Sequence, residues 1–229
     1  MTAGTLRMTL HWSPNSPFVR KVVICAIERG LIDRIQCVRT PVAPVRANPE
    51  LLAGPNPLSK VPTLMLADGS SLYDSRVICE YLDGLGEAPP LFPERGAARL
   101  DALRRQALGD GISDIGLQWR DAQMRNESAS TPTVSTILQK LAAAANQAER
   151  DIQAERDIQV ERASLDIGEI ALGCALSYLD MRCAEFAWRA DRPALAAWYE
   201  RFEARSSAAA TTLGEDKAPS LRRTAEGGA

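Results

Sequence analysis

The chain has 229 residues, of which 45% are hydrophobic and 24% charged, and a formal net charge of −2. That is enough apolar material for one large or two small packed domains, and it excludes wholesale disorder. The near-neutral balance without a long run of like charges leaves no electrostatic footprint for nucleic acid or a membrane surface, and no apolar stretch approaches the ~20 residues that span a bilayer.

Met1 to Arg7 lacks the apolar region of a signal peptide, so a cytoplasmic protein is expected. Cys25, Cys37, Cys79, Cys174 and Cys183 are odd in number and show neither a CxxC pair nor metal-ligand spacing. They read as reduced core thiols, with no metal site. Leu6, Met8, Leu10 and Trp12 recur with period two and predict a first strand, which makes the single histidine, His11, a strand side chain.

A turn at Ser13-Pro14-Asn15-Ser16-Pro17 leads into Phe18, Val22, Val23, Ala26 and Ile27, whose spacing marks a helix closed by Gly30, with Ser16 as N-cap and Pro17 at the first helical position. Ile35 to Val38 gives a second strand, and the Pro-rich stretch 41–57 is an irregular connection with at most a short helix. Lys60 to Ala67 and Ser70 to Tyr73 predict antiparallel strands joined by a tight turn at Asp68-Gly69. Asp74-Ser75 then opens a helix with Val77, Ile78, Tyr81 and Leu82 on its apolar face, ending at Gly84. The order is β-α-β, then β-β-α.

Pro89 to Pro93 reads as an interdomain linker. Helical spacing follows from Ala97 to Arg125 and again from about Thr133 to Arg162. Inside the second helix Ala148-Glu149-Arg150-Asp151-Ile152-Gln153 is repeated as residues 154–159, a short duplication that adds charged helix and is not a solenoid period. Asp166-Ile167-Gly168-Glu169 reads as a capping box, flanked by Leu165 and Ile170 as a hydrophobic staple. The small, polar, Gly-rich tail from Thr211 to Ala229 is expected to be disordered.

Ser16-Pro17-Phe18 with Lys21, Lys60-Val61-Pro62-Thr63-Leu64, and Asp74-Ser75-Arg76-Val77-Ile78 with Tyr81-Leu82 occur in this order, and together they resemble the cytosolic glutathione transferases. The resemblance extends over roughly residues 6 to 210. It implies a thioredoxin-like α/β domain at 5–86, an all-α domain at 94–210 and a homodimer. It also implies a cis Val61-Pro62 bond, with Val61 pairing like an added strand with the cysteinyl part of glutathione. Asp74 and Ser75 then hold the γ-glutamyl end, and Lys60 reaches the glycyl carboxylate. Each also has a plainer reading, Pro62 as a strand-opening proline and Asp74 or Ser75 as a helix cap.

Ser16 aligns with the serine that activates glutathione in the theta, zeta and tau classes. Its hydroxyl would donate to the sulfur, with Ser13 and Asn15 as alternatives. Lowering a thiol pKa from ~8.5 to ~6.5 takes about 2.7 kcal/mol. A charge-assisted hydrogen bond supplies ~1.5–3 kcal/mol and a helix N-terminus ~0.5–1 more. Without a cysteine in this loop, glutaredoxin-like thiol exchange is disfavoured. The resemblance therefore implies a detoxification enzyme that adds glutathione to a small electrophile. Glutathione-dependent isomerisation or dehalogenation, and a noncatalytic regulatory protein on the same fold, are the alternatives. Arg104, Gln118, Trp119 and Met124 are candidates for the wall facing the electrophile.

Overall fold

The computed structural model describes residues 7–43, 46–128, 130–157 and 165–214. Met8, Leu10 and Trp12 are buried on one face of β1 (Met8–Trp12), while Thr9 and His11 are half-buried on the other. His11 Nδ1 lies 2.9 Å from the Thr40 hydroxyl. Ser16 caps α1 (Pro17–Glu28), and Pro17 fills a position whose N–H would have no helical partner. The helix ends in a Schellman motif: Gly30 takes φ 71°, its N–H donates to Ile27 O, and Leu31 N–H donates to Ala26 O.

β2 (Ile35–Arg39) runs parallel to β1 with Cys37 opposite Leu10, and α2 (Pro49–Ala53) is the single turn carried by the Pro-rich connection. β3 (Thr63–Met65) and β4 (Ser71–Leu72) complete a mixed sheet of order β2-β1-β3-β4, in which β3 is antiparallel to both neighbours. Gly69 adopts φ 87° in the turn between them, a conformation that costs glycine little.

α3 (Ser75–Leu85) departs from expectation in two places. It runs through Gly84 and stops at Gly86, where an added Cβ would lie 2.6 Å from Arg29 O, so only glycine lets α3 end against α1. Val77 is 48% exposed, and Cys79 takes the inward position beside Ile78 and Leu82.

The C-terminal domain is helical: α4 (Gly96–Met124), α5 (Pro132–Asp157), α6 (Ile167–Arg182), α7 (Pro193–Glu203) and α8 (Ser206–Ala209). The end of the helix expected up to Arg162 falls outside the described residues. The middle of the linker is fastened to α3 on one side and to α6 on the other. Leu91 and Phe92 donate their N–H groups to the Asp83 carboxylate at 2.8 and 3.2 Å, and Leu91 O accepts from Ile167 N–H.

Asp166 and Glu169 form the predicted capping box of α6, whose burial on nearly every side reflects its central place. α6 crosses α4 at Gly109, where an added Cβ would lie 2.5 Å from the backbone of Ala171. The two copies of the duplicated hexapeptide serve different ends. Glu149 accepts from the N–H groups of Ala194 and Leu195 at 3.1 and 2.7 Å, capping α7, whose own N-cap residue Arg192 makes no capping hydrogen bond. Glu155, six positions on, pairs with the buried Arg105 at 2.6 Å.

α1 is packed between α3 and α6, and this buries Arg20 and Lys21, charged residues on its second face. Arg20 donates to Glu203 and to Ala208 O, both at 3.0 Å, and Gly214 N–H donates to Pro14 O at 3.0 Å. Of the segment expected as a tail, Thr211 to Gly214 is thus tied to α1 and its preceding loop, and 215–229 lies outside the described residues. Among the described residues no helix is long and apolar enough to cross a membrane.

Candidate functional site

A cavity of about 220 Å³ opens where β3, the N-terminus of α3 and the middle of α4 converge; Lys60, Val61, Pro62, Asp74 and Ser75 all line it. These sequence-predicted residues, drawn from two separate motifs, are therefore brought together. The Val61-Pro62 peptide bond is cis. Val61 precedes the ladder that starts at Thr63, and among the described residues its N–H and C=O make no backbone hydrogen bond. An extended ligand could pair with both, in the manner of an added strand.

Asp74 caps α3 by accepting from Arg76 N–H at 2.9 Å, and Ser75 begins the helix with its hydroxyl free of intrachain hydrogen bonds among the described residues. The opening turn of an eleven-residue helix presents N–H groups suited to a carboxylate.

Ser16, Ser13 and Asn15 are not among the cavity's lining residues, although Phe18, two positions beyond Ser16, is. Ser16 Oγ accepts from Val19 N–H at 3.3 Å, which leaves its own proton available to a second acceptor; Ser13 Oγ accepts from Asn15 N–H at 3.4 Å. Arg104, Gln118, Trp119 and Met124 also lie outside this cavity. Arg104 is engaged with Asp101 and Asp151, each at 2.9 Å.

Sequence reading missed several lining residues. Asn56 is buried and donates to Lys60 O at 3.1 Å and to the Thr63 hydroxyl at 2.9 Å, fastening the loop that carries Lys60-Val61-Pro62. Its Asn-Pro context signals only a turn. Asp110 is buried on α4 between two cations, Lys21 Nζ at 2.6 Å and Arg76 Nε at 2.9 Å. Because Lys21 belongs to α1, Arg76 to α3 and Asp110 to α4, the trio joins the two domains beneath the cavity. Asp114, one turn further along α4, has its carboxyl held above the usual range by partial burial and then by the charge of Asp110, which outweigh the opposing pull of Lys60 and Arg76.

The cysteines stand apart from this chemistry. Burial pushes Cys37 up to about 11 and Cys174 and Cys183 up to about 12, so thiolate is scarce at neutral pH. Among the described residues no cluster of His, Cys, Asp and Glu could hold a metal ion.

The four-stranded sheet with α1 and α3, joined to an all-helical domain through a cis-proline cavity, defines a thioredoxin-like domain with a helical partner. Family models described as glutathione S-transferase, N-terminal domain, and glutathione S-transferase, C-terminal domain, match residues 15–85 and 162–201. The uncharacterized GST-like protein YibF of Escherichia coli is 30% identical over 208 residues, which is 89% of this chain and 98% of that one. A glutathione transferase family member from Pseudomonas fluorescens, solved with bound glutathione, is 35% identical with a TM-score of 0.81, over 91% of this chain and 100% of its own. A glutathione S-transferase from Methylobacillus flagellatus, solved with GSH bound, is 32% identical with a TM-score of 0.75, over 90% and 98%. The chain belongs to the glutathione S-transferase family.

Proposed function

We propose that this protein binds glutathione in the β3–α3–α4 cavity and activates its thiolate for attack on a small electrophile. The observation that carries the reading is the convergence in one cavity of cis Val61-Pro62, Asp74-Ser75 and the Lys60 ammonium. The backbone of Val61 pairs with the cysteinyl residue, the α3 N-terminus receives the γ-glutamyl carboxylate, and Lys60 attracts the glycyl carboxylate. Relatives sharing about a third of the sequence were solved with glutathione bound, which supports the same ligand here.

Ser16 supplies the activating hydrogen bond. Its oxygen is occupied in capping α1 while its proton is not, and the α1 N-terminus adds favourable potential. The working protein is a cytoplasmic homodimer, in keeping with the family resemblance. A second reading, a noncatalytic glutathione-binding protein, is favoured by the absence of Ser13, Asn15 and Ser16 from the cavity lining.

Calorimetric titration with glutathione tests the reading, run with conjugation assays on an aryl chloride. Wild type is expected to bind and conjugate, Asp74→Ala to bind much more weakly, and Ser16→Ala to bind but conjugate poorly. Wild type that binds without conjugating points to the second reading, and wild type that does not bind removes both.

A further inference from the structure

Ser59, immediately before Lys60-Val61-Pro62, lies in the left-handed region of backbone space at φ 51°. Glycine, asparagine and aspartate adopt that conformation more readily, and a serine keeps it only where its surroundings hold it there. Here the hold is a set of hydrogen bonds. The Ser59 hydroxyl accepts from the Asn48 N–H at 2.7 Å and donates to Asn48 O at 3.5 Å, and the Ser59 N–H donates to Asn56 O at 2.9 Å.

Asn48 is the N-cap of α2, and this pairing supplies what the helix lacks. In a capping box the third helical residue is a Glu or Gln whose side chain reaches back to the N-cap N–H. In α2 that residue is Leu51. The Asn48 side chain accepts from Leu51 N–H at 3.1 Å, but Leu51 has no side-chain acceptor with which to return the bond. Ser59 returns it from eleven residues away. The hydroxyl thus latches the start of α2 to the residue next to Lys60.

Lys60 needs such a hold, because its own side chain has no partner. It is exposed and lines the cavity, and among the described residues its ammonium makes no hydrogen bond or ion pair, although Asp114 feels its charge. Its direction is inherited from backbone fixed at two points: Lys60 O accepts from the Asn56 amide at 3.1 Å, and the preceding residue is tied to Asn48. We infer that Ser59 is a positioning residue for Lys60. By holding the chain in a left-handed turn against α2, it sets where the Lys60 ammonium meets the glycyl carboxylate of the tripeptide. Ser59 does not itself line the cavity, and neither does any residue of α2. The inference rests on the glutathione reading of the cavity and gives α2, which does not touch the ligand, a part in its selectivity.

The test compares glutathione with its glycinamide analogue, in which the glycyl carboxylate is a neutral amide. Both are titrated calorimetrically into wild type, Ser59→Gly, Lys60→Met and the double variant. Glycine accepts a positive φ readily, so Ser59→Gly removes the hydroxyl without straining the turn. Wild type should prefer glutathione over the amide about three- to tenfold, as one exposed charge-assisted contact would give. Ser59→Gly should weaken glutathione about threefold and leave the amide unchanged, which also shows that the variant is folded. In the Lys60→Met background the same change should alter neither ligand, because the two residues act in series. Equal weakening of both ligands by Ser59→Gly, no weakening of either, or an undiminished loss in the double variant overturns the assignment. Wild type that binds both ligands equally overturns it too, since no carboxylate reading is then left to position, while the glutathione site stands. Wild type that binds neither ligand removes the glutathione reading and the inference with it, a distinct outcome.

Discussion

Two charged clusters meet on α4 five residues apart, and they differ in how their charges are used. Arg105 is buried, with Glu155 at 2.6 Å, Asp166 at 2.7 Å and Asp101 at 3.2 Å around its terminal amino groups. That cluster joins α4 to the cap of α6 and to the duplicated stretch of α5, and it lies outside the cavity lined by Lys60 and Asp74. Asp110 is equally buried, but one of its two cations, Arg76, reaches the cavity with unfilled donors. A buried charge surrounded on every side by its own chain holds helices together; one whose partner keeps a free face toward a cavity can serve a ligand.

Arg105→Met gives the largest separation between the two. It removes the buried cation among three carboxylates and is expected to cost ~3–5 kcal/mol in denaturant unfolding, with glutathione affinity unchanged in the folded fraction. Gly109→Ala is expected to cost ~1–3 kcal/mol, because the new methyl group meets the Ala171 backbone, which cannot give way as a side chain could. Gly109 adjoins Asp110, so displacement of α4 should also weaken ligand binding, measurable by calorimetry on the same sample. Arg76→Gln reverses the pattern: its guanidinium is half-exposed and the buried Asp110 keeps Lys21 as a partner, so the cost to stability should stay below ~1 kcal/mol, which thermal melts would show, while ligand affinity falls.

The smallest expected effect is one of pH. Glutathione brings an ammonium into a cavity that Asp114 lines, and Asp114 offers it a negative charge only above a pKa that burial holds higher than the ordinary carboxylate value. Glutathione affinity should therefore begin to fall at a higher pH on acidification than a normal aspartate would dictate, with proton release on binding in that window. Asp114→Asn should abolish this acid limb. Calorimetry in buffers of different ionisation enthalpy checks both the limb and the proton release.

These clusters also mark the boundary of what the sequence makes legible. Strand alternation in Met8, Leu10 and Trp12, the turn at Asp68-Gly69 and the capping box at Asp166 are local patterns, and each appears where periodicity and capping chemistry place it. The residues of the cavity's first half, Lys60 to Pro62 with Asp74 and Ser75, were readable because they occur in ordered motifs. Asp110 and Asp114 were not, since a charged residue on a helix reads as solvated surface until the packing of a distant helix buries it. The same holds for Val77 and Cys79, whose outward and inward turns depend on where α1 lies. Glu149 could not be seen as the cap of α7 because the two are 45 positions apart in the chain.

Whether this fold lowers the pKa of glutathione's thiol is decided by following thiolate absorbance of the bound tripeptide against pH in wild type and Ser16→Ala. In wild type the bound thiol is expected to titrate about two units below its free value near ~8.5, and in Ser16→Ala to return most of the way to that value. A bound thiol that titrates at its free value in wild type would contradict activation and leave a glutathione-binding protein without the transferase chemistry.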